Sequence, residues 1–261
     1  MRLALLCWLY FLFITGINCQ ITITGDDMPK PGDTVRTSIT PFLEGLDYET
    51  TGEDYTWDFS ALTVMAQQVD TFVGVSETPL LYQAVFNNQF IFPDHKASVA
   101  KKLTEFDLIP ELEVTDTYQF FKEADGEYRE VGVGVTLQQV PLPIAYQEID
   151  TLYRFPLEYG DSDSSTALLS IEVPGLGYLE VDRKRKNTVD GWGTLVTPFG
   201  EFQTIRVKTE VIEYDSIYID SLNTGFPVNR EFVEYKWLTN GISLPVLRIT
   251  EEGLALMATY V

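Results

Sequence analysis

Apolar and polar side chains alternate along most of this chain, and apolar positions seldom recur at helical spacing. Thr, Val, Ile, Tyr and Phe are abundant, so the period and the residue types both predict strands. Turn signals punctuate the alternation at Pro31-Gly32-Asp33, Asp125-Gly126, Pro174-Gly175, Asp190-Gly191, Pro198-Phe199-Gly200 and Asn240-Gly241. Each joins a turn-tolerant residue to a glycine that accepts positive φ. Hairpins are expected for Thr115 to Lys122 with Tyr128 to Leu137, Ala167 to Val173 with Tyr178 to Lys186, and Glu231 to Leu238 with Leu244 to Thr250. A further hairpin turns at Pro198-Phe199-Gly200-Glu201. Its alternation puts Leu195, Ile205, Val207 and Val211 on one face, and Trp192, Val196, Phe202 and Arg206 on the other.

Only His95 to Phe106 has the make-up of a longer helix. Val140 to Asp150 carries Pro141 and Pro143, which remove amide donors and suit a crossing between two halves. The expected fold is mainly β: antiparallel strands and hairpins in two packed sheets or one strongly curved half-barrel sheet. At most one or two short helices accompany it.

The first nineteen residues depart from this pattern. Met1 and Arg2 precede an apolar run, Leu3 to Ile14, and Thr15, Gly16 and Asn18 break it before Gln20. That is the layout of a secretory signal peptide, so residues 1–19 are expected to be removed, leaving 20–261 as a single β-rich domain. The destination is periplasmic or extracellular. Cys19 at the boundary raises a lipid anchor as the weaker alternative, because Asn18 is not the small residue that processing favours. Cys7 and Cys19 both fall in the signal, so residues 20–261 hold no disulfide and depend on core burial.

The chain has 39 acidic and 18 basic residues, a net charge of −21. Such a surface repels nucleic acid and anionic membranes. A single histidine outside the signal, His95, leaves a Ser-His-Asp relay with one conceivable base and no nucleophile motif. Zinc needs ligand clusters that one histidine and no remaining cysteine cannot supply. Calcium needs only oxygens, and Asp161 and Asp163 in "YGDSDSSTA" are the best candidates, with Asp26-Asp27 behind them. Neither completes a calcium loop, and Asp and Ser also bond their own backbone in turns. No phosphate-binding loop, dinucleotide fingerprint or His-Glu-x-x-His occurs.

"DRKRKN" (Asp182 to Asn187) is the one basic run. Alternation sends Arg183 and Arg185 one way and Lys184 and Lys186 the other. A solvated edge strand is expected, with a carboxylate or phosphate clamp built on the arginine forks as the alternative. Trp57, Trp192 and Trp237 suit core packing, each removing ~150–250 Å² from water. Trp192, Phe202 and Arg206 are the candidate ligand face.

Four phrases carry a resemblance: "YTWDFSALT" (55–63), "TLYRFPLEYGDS" (151–162), "VDGWGTLVTPFGEFQTIRVKT" (189–209) and "YKWLTNGISLPVLRI" (235–249). In this order the chain resembles a group of exported, β-rich proteins of Bacteroidetes-type bacteria. The resemblance implies a signal-bearing β protein with no assigned activity, and it brings no catalytic residues. Many such proteins end in a sorting domain for surface export, and none is evident after Ile249. Two functions follow as expectations. One is a non-catalytic exported module binding a glycan, lipid or protein partner at an aromatic-lined or apolar concavity. The other is a glycan hydrolase using paired carboxylates, with or without calcium.

Overall fold

The structure, a computed structural model, describes residues 20–103, 113–175, 177–220 and 223–261. Its strands are β1 (Thr34–Thr40), β2 (Tyr55–Asp58), β3 (Ala66–Val73), β4 (Val99–Lys102), β5 (Val114–Ala124), β6 (Glu127–Leu137) and β7 (Val140–Arg154). They continue as β8 (Ser162–Val173), β9 (Gly177–Thr197), β10 (Gly200–Ile219), β11 (Thr224–Leu238), β12 (Leu247–Glu252) and β13 (Ala255–Tyr260). The expected hairpins form, because each is set by a local turn: β5–β6 at Asp125-Gly126, β8–β9, β9–β10 and β11–β12.

The sheet is neither a sandwich nor a half-barrel. Strands β3 to β13 follow one another in chain order, each antiparallel to the next, and β1 pairs with both β3 and β13. Twelve strands therefore close into a barrel. Closure leaves no open ladder at either end of the meander, which removes the edges that two sheets would retain. The lysine-bearing stretch is accordingly no edge: β9 lies between β8 and β10, although Lys184 and Lys186 do face outward.

Two segments lie against the outside of the wall. Between β1 and β3 the chain makes an excursion (41–65) whose Leu43, Trp57, Phe59 and Leu62 cover Tyr235, Trp237, Leu247, Ile249 and Tyr260. Within it, β2 runs parallel to the end of β9, from Gly193 to Val196. The one α-helix among the described residues, α1 (Leu80–Phe86), packs Tyr82 and Phe86 over Tyr118, Phe120 and Val131. Its rings lie flat where Gly132 and Gly134 carry no side chain; a Cβ at Gly132 would fall 2.4 Å from Phe86.

The helix expected over His95 to Phe106 is not formed across its described part. Val99–Lys102 is β4, with Val99 and Ala100 buried, and ladder pairing to β3 and β5 overrides local helix propensity. Thr104 to Phe106 lie outside the described residues, as do residues 1–19 with Cys7 and Cys19. The expected crossing at Val140 to Asp150 is strand β7 instead. Pro141 and Pro143 share one parity, so their missing donors fall on one side of the strand. Such residues are tolerated where a side has little ladder to lose, and β7 meets β8 at a single ladder pair, Glu148 with Leu168. Side chains stitch the rest of that seam. Ser170 N–H donates to Gln147 Oε1 (3.0 Å), and Thr151 N–H donates to Ser165 Oγ (3.0 Å).

Candidate functional site

Inward-facing residues of the barrel form three layers. At one end Ile23, Phe72, Phe121, Tyr128, Val189 and Val207 pack into an apolar cluster. At the other end Ile144, Tyr146, Ala167 and Leu169 pack with Val133, Val135 and Ile171. Charged groups lie between them. Strand alternation places Arg183 and Arg185 of β9, Glu130 of β6, Asp150 of β7, Glu213 of β10 and Glu234 with Lys236 of β11 on this level.

The pairs are specific. Arg185 donates from Nε and Nη2 to both oxygens of Asp150 (3.2 and 3.0 Å). Arg183 donates from Nη1 to Asp150 (3.0 Å) and from Nε to Glu213 (2.6 Å). Glu234 lies 3.3 Å from Lys236. Burial pushes the Asp150 carboxyl up, but Arg185 and Arg183 more than reverse this and hold it below the usual carboxylate range. Glu130 is different. Its side chain is buried and accepts one hydrogen bond, from Gln119 Nε2 (3.1 Å), and no ion pair reaches it among the described residues. Burial pushes its pKa up to about 7, against the opposing pull of Arg183.

Two cavities flank this layer, and Gln119, Glu130 and Arg183 line both. The first, about 410 Å³, is walled by Val133, Val135, Ile144, Leu169, Ile171 and Val181. Half-exposed Val173, Tyr178 and Tyr218 stand at its mouth, and buried Thr117, Glu130 and Tyr146 form its floor. Thr117 Oγ1 is buried without a hydrogen-bond partner among the described residues. The second cavity, about 290 Å³, presents Lys101, Arg183, Arg185, Lys236 and Arg248 against Glu130 and Glu234. Volumes of this order suit a small organic ligand.

The ligand face expected from the sequence is not assembled. Asp190 forms a bulge opposite Arg206 and Val207, and the bulge switches the parity of β9. Trp192 therefore pairs with Ile205 and packs toward the inner cluster, whereas Leu195 pairs with Phe202 and both face the outer one. Arg206 faces outward but is 1 % exposed. Its five donors are all engaged: two on Asp190 (2.8 and 2.7 Å), the others on the carbonyls of Tyr48, Glu49 and Thr50. Its guanidinium also stands 5.2 Å from the Tyr235 ring and 5.7 Å from that of Trp237, not over Trp192. Arg206 fastens the excursion to the wall.

The acidic candidates are also engaged. Asp161 Oδ2 accepts from Glu158 N–H (2.9 Å) and Asp163 Oδ1 from Asn187 Nδ2 (3.1 Å). Asp27 accepts from Thr24 N–H and Gly241 N–H. Among the described residues no three acidic, histidine or cysteine side chains group as a metal site would require. His95 Nε2 is 2.8 Å from the Tyr146 carbonyl oxygen. The inward pair Arg183 and Arg185 was legible from alternation. Glu130, Asp150 and Thr117 were not singled out, though each sits on an inward position of its strand.

No protein-family model, curated protein or solved structure matches the chain.

Proposed function

We propose that this chain is an exported, non-catalytic binding protein that holds a small amphipathic molecule of the lipid class inside its barrel. The observation that carries this is the cavity of about 410 Å³, apolar along its walls and ending on buried polar groups at its floor. An apolar tail gains from leaving water there, at roughly 25 cal/mol per Å² buried. A polar head finds Thr117, Glu130 and Arg183 at the closed end.

The barrel wall supports a lumen-centred role. The outward face of β9 and β10, the two longest strands, carries Lys184, Lys186, Lys208 and Glu210. A membrane-spanning barrel presents an apolar band there. No helix among the described residues is long and apolar enough to cross a membrane. Hydrolysis of a glycan by paired carboxylates is the less favoured reading. Glu130 and Asp150 have their acidities pushed apart, as an acid and its partner would. Asp150, however, is 0 % exposed and both its oxygens are clamped by arginine, so it has no path to a sugar.

Thermal unfolding against decanoate, decanol, a maltooligosaccharide and calcium chloride tests the reading. Ligands that bind only the folded state raise Tm by mass action. The amphiphiles are expected to raise it by several degrees, and the sugar and calcium to leave it unchanged. A flat response to both amphiphiles overturns lumenal lipid binding.

A further inference from the structure

Within the charged layer one carboxyl is short of partners. Asp150 has two arginines, Glu213 has Arg183 and Arg230, and Glu234 has Lys236 beside it. Glu130, also buried, has only the Gln119 amide among the described residues. It stands at the floor of the apolar cavity, and the unpartnered Thr117 Oγ1 lies on the same floor, two residues from Gln119 on β5. A buried carboxyl with a single hydrogen bond and a buried hydroxyl with none among the described residues cost free energy unless something further bonds to them. The cavity between them is where that partner would sit.

The chemistry of the floor narrows the head group. An ammonium head would meet Arg183, with Arg185 behind it. A sugar would meet valine, leucine and isoleucine. A phosphate dianion would need cations to spare, but Arg183 and Arg185 are committed to Asp150 and Glu213. A carboxylate needs less: one donated proton and one hydroxyl. Taking lumenal lipid binding as its basis, we propose that the ligand is a carboxylate amphiphile whose head pairs with Glu130 by sharing a single proton, with Thr117 as a second donor.

The ligand arrives ionised and the complex holds one shared proton. Above about pH 7, where free Glu130 is ionised, that proton is taken from solvent on binding, and below it Glu130 already carries it. The charged and titratable groups around Glu130 are Arg183 and Arg185 on β9, Asp150 and Tyr146 on β7, and Tyr128 on its own strand; Glu213 on β10 acts through Arg183. Arg183 and Arg185 favour the ionised form, and burial and Asp150 favour the neutral one. The balance lies close to neutrality, so protonation at physiological pH costs little.

An alcohol serves as control, because a hydroxyl can donate or accept and so matches either form of Glu130. Calorimetry of decanoate and decanol, in two buffers of different ionisation enthalpy and from about pH 6 to about pH 9, reads the proton count directly. Decanoate is expected to take up about one proton above pH 7, its affinity falling about tenfold per pH unit there. Decanol is expected to take up none and to keep its affinity. In Glu130→Gln an amide donor replaces the acid, so decanoate should bind with no pH slope and decanol should still bind. Decanoate binding without proton uptake, or an unchanged pH slope in the variant, overturns the proposal. So does binding of decanol alone, which leaves lumenal binding standing. Failure of both probes to bind overturns the lumenal reading itself.

Discussion

Burial at Glu130 has a consequence for stability as well as for ligands. In the unfolded chain this carboxyl titrates near 4.5, and in the fold near 7. Between those values the folded state keeps a proton that the unfolded state has lost. Stability therefore declines as pH rises through that window, by about 3 kcal/mol in all. Glu130→Gln does not titrate, so urea midpoints of the variant should lack this decline and exceed those of the parent above pH 7. Equal slopes for the two proteins would contradict the burial of this group. Asp150 contributes with the opposite sign. Its folded pKa is depressed, so its contribution is present above the ordinary carboxyl value and lost as pH falls below that value through the depressed folded one. Arg206 shows what residue type alone could not reveal. The sequence offered it beside Trp192 as a binding group, but the fold uses all five donors to hold backbone carbonyls and Asp190.

The Trp192 stretch teaches the same lesson for elements. Gly191 and Gly193 are not decoration around an exposed aromatic. A Cβ on Gly193 would lie 2.1 Å from the Tyr55 carbonyl oxygen, and its φ of +148° disfavours any L side chain. The glycine lets β2 lie parallel along β9 and seats Trp57 beneath Tyr55 and Trp237. Gly193→Ala should cost at least about 2 kcal/mol in urea unfolding and expose the amides of Tyr55 to Asp58 to exchange. Full protection of those amides in the variant would argue against this close approach. Hairpins such as β5–β6 and β11–β12 were legible because a turn and two flanking alternations lie within about twenty residues of chain. Helix α1 was not, since seven residues give little periodicity and its packing depends on Gly132 and Gly134, far along the chain. The bulge at Asp190 was equally hidden, and it reversed which face of β9 each later residue occupies.

At the scale of the molecule, closure was the feature that alternation could not supply. Period-two patterning says that each strand has two faces; it does not say that β1, near the start, pairs with β13, near the end. Nor could it show that the inner face of Arg183 and Arg185 belongs to a lumen rather than to solvent. The closed wall sorts charge by side: five basic residues line the smaller cavity of a chain whose net charge is −21. That sorting has a kinetic signature. An anion diffusing toward the protein meets a repulsive field before it reaches the mouth, and salt screens that field over about 8–10 Å. Stopped-flow association of decanoate should therefore quicken as ionic strength rises, while its dissociation, governed by contacts within the barrel, stays constant. An association rate that slows with added salt would mean that the mouth, unlike the surface as a whole, attracts anions.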